Sequence, residues 1–465
     1  MTSVPKNWIL VPLDDCGEWG SGGTPKRTIA RYYQGGTIPW LIIGDLNDGV
    51  VYNAATYITD EGLRNSSAKL LPVNTLLIAM YGSIGKLGIT GFECTTNQAI
   101  AFCKPNKNVF LKYLFYSLMS ARDDLLTYGQ GGAQQNISQT ILRAYRIPLA
   151  PLNEQKRIAD KLDTLLARVN ACREHLDQVP VILKRFRQAV LAAAVSGKLT
   201  EEWREQNRII ERTKRVAINE TESDTSYGSS AKSKKSGIIP VLRMGNIQDG
   251  KLDWEDLVYT SDQSEIKKYE LHQGDVLFNR TNSPELVGKT AVYKGERPAI
   301  YAGYLIRIKC GPNLLPDYLN YCLNSQDGRD WCWRVKSDGV SQSNINAQKL
   351  GEFQFLLPTL KEQEEIVRRV EKLFAYADRL ESKYQAAHKL VDNLTPALLA
   401  QAFRGELVPQ DPNDEPVSVL LDRIRAEREA RAKETGKHRK PTRKKIDSKV
   451  EGVMRKLTEI SPTHL

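Results

Sequence analysis

The chain repeats itself, and self-similarity at a fixed offset limits the possible folds more than any local propensity does. The segment PLNEQKRIADKLDTLLARV from Pro151 has an ungapped counterpart in TLKEQEEIVRRVEKLFAYA from Thr359, at an offset of 208 residues. Leu152, Glu154, Gln155, Ile158, Leu165 and Ala167 return as Leu360, Glu362, Gln363, Ile366, Leu373 and Ala375. Farther on, Ala189, Leu191, Ala194, Gly197 and Leu199 return as Ala397, Leu399, Ala402, Gly405 and Leu407. Upstream, Gln134, Asn136, Ile137 and Leu142 pair with Gln342, Asn344, Ile345 and Leu350, and IPWLIIGDLNDG resembles IPVLRMGNIQDG at an offset of 201. The halves therefore share a frame and differ in their insertions.

Within each repeat the apolar residues follow a heptad seam. Ile158, Leu162, Leu165, Val169, Cys172, Leu176 and Val179 step by four and three, and Ile366, Val370, Leu373, Ala377, Leu380, Tyr384 and Ala387 do the same. Each seam predicts a long helix. Two matched stripes in one chain favour packing on each other as an antiparallel coiled coil, because each alone would leave an apolar face in water. A helix from Glu154 to Val179 would run ~39 Å at ~1.5 Å per residue, comparable to one B-DNA turn of ~34–36 Å. Pro180 is expected to end it, with a second helix running to Gly197 as a C-cap. The segments before each helix read as strands: TLLIAMYGSIGKLGITG and QAIAFCKP in one half, GDVLFNR, KTAVYKG and AIYAGYLIRIKC in the other.

The expected fold class is α+β: two globular domains with mainly β cores, joined by two long antiparallel helices in a pseudo-twofold internal repeat. The boundaries follow as domain 1 at 1–150, a central helical region at 151–206, domain 2 at 207–356, a C-terminal helical region at 357–411 and a basic tail at 412–465. Residues 207–237, polar and rich in Ser, Lys and Glu, read as a flexible connector.

The formal charge of +11 points to an anionic partner, nucleic acid first. Most of it sits between Arg423 and Lys449, where twelve basic residues face four acidic ones. That stretch is compatible with a helix on a partner subunit, a phosphate-binding arm or disorder. No apolar run reaches the roughly 20 residues of a membrane span, and MTSVPKNWILVPLDD shows no export signal. Seven scattered cysteines without a CxxC pair fit a reducing cytoplasm.

Catalytic signatures are missing from the sequence. The glycine clusters EWGSGGTP and YGSIGKLG lack GxGxxG spacing, and the GKT at Gly288 has Ser283 where a P-loop needs its first glycine. Five histidines show no metal-ligand spacing. Asp253, Glu265 and Lys267 form a nuclease-like triplet of the kind that arises by chance in any charged chain. Binding is the better class, with no metal and no catalytic residue expected.

The paired segments LNEQKRIADKLDTLLA and LKEQEEIVRRVEKLFAYAD, with LKRFRQAVLAAAVSGKLTEEWR and LTPALLAQAFRGEL, resemble the conserved helical regions of type I restriction-modification specificity subunits. The resemblance runs from about residue 7 to 410 and includes SGGTP, IPWLIIGDL and GGAQQNIS. It implies a non-catalytic subunit whose two target-recognition domains read the parts of a bipartite double-stranded DNA target. It implies two modification (methyltransferase) subunits and two restriction (translocase and nuclease) subunits as partners. S-adenosylmethionine, ATP and Mg would then bind those partners.

Base edges in the major groove are read by Arg or Lys on guanine and by Asn or Gln on adenine. The candidates in the first domain are Ser21, Thr24, Lys26, Arg27, Tyr81, Ser83, Lys86, Gln134, Gln135 and Asn136. In the second they are Arg243, Asn246, Arg280, Asn282, Lys289, Gln342, Ser343 and Asn344. Asn136 and Asn344 recur at fixed offset, which favours a helix N-cap or a phosphate contact over base reading. Arg243 and Arg280 are absent from the first half, so they suit specificity better, although either could be a plain surface charge. A free-standing regulator on a coiled coil, or a scaffold without DNA affinity, are the competing classes; salt-dependent DNA binding separates them.

Overall fold

The computed structural model describes residues 5–129, 135–209 and 214–434. The chain divides into two compact units: Met1–Arg173 with Leu390 onward, and Glu174–Lys389.

Each unit is built on the same strand plan, which is what the repeat demands. In the first, a five-stranded sheet runs in the order Gly17–Ser21, Ile100–Pro105, Leu76–Ala79, Leu87–Thr90, Gly49–Val51. In the second, a four-stranded sheet runs Asp224–Tyr227, Leu305–Lys309, Val276–Asn279, Thr290–Val292. Each unit adds a three-stranded sheet, centred on Ile38–Leu41 or on Ile239–Leu242. Each also closes with a two-stranded ladder, Ile9–Pro12 on Arg146–Leu149 or Lys214–Ala217 on Gln354–Leu357. The glycine-punctuated apolar runs of the sequence are the central strands, buried on both faces.

Two helices of 44 residues each, Leu152–Val195 and Leu360–Phe403, carry the repeated motifs. At ~1.5 Å per residue each is ~66 Å long. The break expected at Pro180 does not occur: the helix continues through it, and Pro396 is likewise internal to the second helix. Both prolines are exposed. Each helix lacks one backbone donor there, a local cost that packing along the rest of its length offsets.

The seam also differs in phase from its sequence reading. Ile158, Leu162 and Val169 are buried as expected, but Leu166 is the buried residue of the Leu165-Leu166 pair, and Cys172 is exposed. From Leu162 the inward positions step through Leu166, Val169, Arg173, Leu176 and Leu183 to Arg187, Val190 and Ala194, so two arginines occupy the stripe. In the second helix Ile366, Val370 and Ala377 are buried, and Leu373, Leu380, Tyr384 and Ala387 are half-buried.

Within each unit the two helices pair antiparallel. In the first, Ile158, Leu162 and Leu166 share a core with Leu399 and Ala402, and Arg173 meets Asp392 at 3.4 Å. In the second, Val190, Leu191 and Ala194 share a core with Ile366 and Val370. There Arg187 reaches Asp378 at 2.8 Å and Glu381 at 2.7 Å, and Asp177 faces His388 at 3.4 Å. The stripe from Ile158 therefore faces Leu399 and Ala402, and Ile366 faces the far end of the first helix.

The Glu-Gln pair at each helix start is a buried lock. Gln155 Oε1 accepts from the Phe110 amide at 2.8 Å, and its Nε2 donates to the carbonyls of Ala150 and Asn108. Gln363 does the same with the Leu315 amide and the carbonyls of Asn313 and Pro358. Glu154 accepts from the Trp8 indole at 3.0 Å, while Glu362 accepts from Thr200 and Arg204. Burial raises the Glu154 carboxyl above its ordinary range, against the pull of the Trp8 bond.

Two stretches differ from expectation. The presumed connector carries the strands Lys214–Ala217 and Asp224–Tyr227. Each pairs with another strand along one edge only, and most of its residues are exposed or half-buried, so polar side chains are tolerated there. Residues read as the start of the basic tail form a helix, Val417–Glu434, whose Val417, Leu420, Leu421 and Ile424 are buried in the first unit beside Trp8 and Leu13. Asp414 anchors it through a bidentate pair with Arg157 at 2.6 and 3.3 Å. The rest of the basic stretch lies outside the described residues.

Candidate nucleic-acid interface

In the first domain the strand Leu76–Ala79 leads into a turn closed by two backbone bonds, Gly85 N–H to Ala79 O at 3.0 Å and Ala79 N–H to Lys86 O at 2.9 Å. Gly85 has φ of 79°, a left-handed conformation that glycine adopts without strain. The turn lies along the segment at 135–137: Gly82 donates to Gln135 O at 3.1 Å and Ile137 to Met80 O at 2.9 Å, with Tyr81 bridged to Asn136. Tyr81, Ser83, Gln135 and Asn136 are thereby brought together. Gln134 lies outside the described residues.

The Ser21–Thr24 segment joins them through Gln98 and Ala99. The Thr24 hydroxyl bonds the Gln98 amide, and Met80 donates to Ala99 O at 2.8 Å. SGG is a packing signal here, since a Cβ on Gly22 would stand 2.1 Å from Thr96 O. Lys26 and Arg27 project into solvent. Lys86 is half-buried, with its ammonium 3.4 Å from Ile43 O.

The second domain repeats this frame with different side chains. Gly288, φ 86°, donates to Asn279 O at 2.8 Å and Asn279 donates to Lys289 O at 2.8 Å, so Gly288-Lys289 matches Gly85-Lys86. Ile345 donates to Arg280 O at 2.9 Å, which makes Arg280 the counterpart of Met80 and Asn344 that of Asn136. Arg243 donates its amide to Asn246 at 2.9 Å, as Ile42 does to Asp45 at 2.7 Å.

Several candidates change standing on this geometry. Asn246 is 3% exposed and spends its amide on Arg243 N and the carbonyls of Asp253 and Asp256, so it braces its own turn. Ser343 is fully buried and bonds Asp338, whose carboxylate is held below its ordinary range by Lys336 and by that hydroxyl. Neither presents a free group to a ligand. Asn136 and Asn344 are not N-caps: Ser138 and Asn346 cap the helices that follow. Lys289 bonds Gln248 at 3.0 Å, Asn282 accepts from the Ser283 amide, and Gln342 stays exposed.

Residues that the sequence reading overlooked complete the surface. Tyr227, 44% exposed, and Tyr304, 50% exposed, flank Arg280. Arg122 donates to Gly85 O at 3.0 Å and Arg329 to Val287 O at 2.9 Å, so both glycine-lysine turns are braced from behind by an arginine. Exposed aromatics interleaved with cations suit stacking on bases or sugars and pairing with phosphates.

The family model for the type I restriction modification DNA specificity domain matches residues 5–179 and 220–387, one stretch on each half-repeat. The chain belongs to this family. The EcoKI specificity subunit of Escherichia coli K12 is 32% identical over 448 residues, spanning 92% of this chain and 97% of that subunit. The StySPI specificity subunit of Salmonella potsdam is 32% identical over 446 residues, spanning 91% and 96%. Among solved structures, the HsdS subunit from Thermoanaerobacter tengcongensis has a TM-score of 0.56 at 17% identity, covering 87% of this chain and 98% of its own. A chain solved in work on complex assembly and conformational transition of the type I R-M system has a TM-score of 0.68 at 18% identity, covering 87% and 99%. At those identities the solved structures speak for the fold. The protein is thus a type I DNA specificity subunit, a class that recognises bipartite targets, and its relatives lend no support to a free-standing regulator.

Proposed function

We propose that this specificity subunit reads its bipartite target with one domain per part, carries no chemistry of its own, and spaces the two readings by its paired helices. The observation that carries this reading is the equivalence of the two frames with unlike residues on them: Met80 against Arg280 and Ile42 against Arg243, at positions matched by backbone hydrogen bonds. A frame that is kept while the side chains at its matched positions differ, buried Met80 in one half and half-buried Arg280 in the other, is what two readers of different sequences require. The repeated helical regions offer two like places for two modification subunits, with two restriction subunits added for cleavage. S-adenosylmethionine, ATP and Mg belong on those partners, which flip and methylate adenines placed in register by this chain. Free cysteines throughout, five of them buried, suit a cytoplasmic setting. Among the described residues no helix is long and apolar enough to cross a membrane.

The test is genome-wide mapping of N6-methyladenine in a host that carries the chain with its partners. A bipartite methylated motif is expected, and it should vanish when this gene alone is removed. A continuous motif, or one that persists without the gene, would refute the reading.

A further inference from the structure

Arg243 and Arg280 look alike in sequence, since each stands where the first domain has an apolar residue. Their surroundings separate them. Arg243 donates to the Asp256 carboxylate at 3.1 Å and to its carbonyl at 2.9 Å, so its charge is already matched. Arg280 has no carboxylate partner among the described residues. Its guanidinium lies over the Tyr227 ring, 4.7 Å from the centroid. One terminal nitrogen is 3.3 Å from Asn344 Oδ1, the other 3.4 Å from Gly303 O, and Nε is buried without a partner. Bonds of that length are at the weak end and are given up easily.

The neighbours are fixed even though the bonds to Arg280 are weak. Asn344 donates Nδ2 to the Thr281 hydroxyl at 2.7 Å, which turns its oxygen toward the arginine. The Tyr227 hydroxyl accepts from the Ala347 amide at 3.0 Å, which holds the ring. The guanidinium plane is therefore set in advance by stacking, so little rotamer entropy remains to be lost on binding, and each terminal nitrogen keeps one N–H unspent. Such a group gains most from a planar pair of acceptors. On a DNA duplex the major-groove edge of guanine, O6 with N7, presents that pair.

We infer that Arg280 is a guanine reader of the second domain, and that the half of the target read there contains a G·C pair recognised by this side chain stacked on Tyr227. The first domain, with buried Met80 at the matching position, cannot make this contact. The inference rests on the reading of the chain as a bipartite DNA reader and adds to it a residue, a base and a half-site.

The experiment uses the full chain with its modification subunits. Duplexes altered one base pair at a time from the mapped motif compete for binding, alongside an unrelated duplex titrated with salt. Arg280→Met is the main variant, because the first half of the chain already accommodates methionine there. Arg280→Lys, which keeps the charge and loses the planar fork, is the second. Both should melt like the parent and keep the parent's salt dependence on the unrelated duplex. Both should lose discrimination at one G·C pair in one half of the motif, by roughly 5- to 150-fold for the methionine variant. Unchanged discrimination at every position would overturn the assignment. So would equal weakening on all duplexes with the salt slope reduced by about one, the mark of a phosphate contact. A parent complex with no sequence preference would instead sink the underlying reading, which is a result the variants alone cannot give.

Discussion

Replacing Gln363 by methionine keeps the length of a fully buried side chain and removes its hydrogen bonds. In the folded protein Gln363 satisfies three backbone groups: the Leu315 amide at 2.8 Å and the carbonyls of Asn313 and Pro358, each at 2.9 Å. A buried group left unpaired costs about 1–3 kcal/mol, and an orphaned amide is tolerated less than a carbonyl. One orphaned donor and two under-satisfied acceptors therefore amount to about 3–5 kcal/mol for Gln363→Met. The matched Gln155→Met should cost less, about 2–4 kcal/mol, because one of its three bonds is already marginal at 3.4 Å. Urea unfolding of the full chain, followed by circular dichroism, measures both. Two units need not unfold together, so Gln363→Met should weaken the Glu174–Lys389 unit and Gln155→Met the other. Lys361→Met, exposed on the same helical turn, is the neutral control. If either glutamine variant changed stability by less than about 1 kcal/mol, the repeated Glu-Gln motif would not be the lock described above.

Leu420→Ala should destabilise the first unit by about 2–5 kcal/mol, since its side chain is buried beside Trp8 and Leu13; calorimetry showing no shift would place the C-terminal helix off that core. Asn279→Ala should raise the melting temperature: its amide is fully buried with neither end paired, and Ala79 fills the matching place in the first domain. A lower melting temperature would mean that a bound water or ligand satisfies the amide. Arg368, aided by Arg369, holds the Glu365 carboxyl down to about 2 from an ordinary 4.5. The unfolded chain then takes up the proton first, so this stabilisation is present above pH 4.5 and is lost as pH falls through about 2. The stability gap between parent and Glu365→Gln should close over that window, and a gap independent of pH would contradict the ion pairs.

The frame was legible because its signals are redundant. Leu152, Glu154 and Gln155 announce a helix start, Leu360, Glu362 and Gln363 repeat it, and the glycine-rich apolar runs can be little else than buried strands. The helix phase slipped at Leu165 because two adjacent leucines fit a heptad equally well, and only packing against Leu399 and Ala402 favours Leu166. Pro180 reads as a break in one dimension, whereas an exposed position on a long packed helix tolerates it. Tyr227 was hidden in the polar run TSYGSS, whose edge strand pairs on one side only. Val417, Leu420, Leu421 and Ile424 have the spacing of an apolar helical face, but the charge count downstream of Arg423 masked it. At the candidate site, residue type could not distinguish Arg243 from Arg280, because the carboxylate that neutralises one of them comes from a turn thirteen residues away.

The division of labour between the halves is tested most directly by a hybrid in which residues 207–356 are replaced by the matching segment of the EcoKI specificity subunit. Methylated-adenine maps of hosts carrying the parent or the hybrid, each with its modification subunits, give the answer. One part of the split motif should change to that of the donor while the other part and the spacing stay as they were. A hybrid motif altered in both parts, or in neither, would contradict two independent readers on one shared frame.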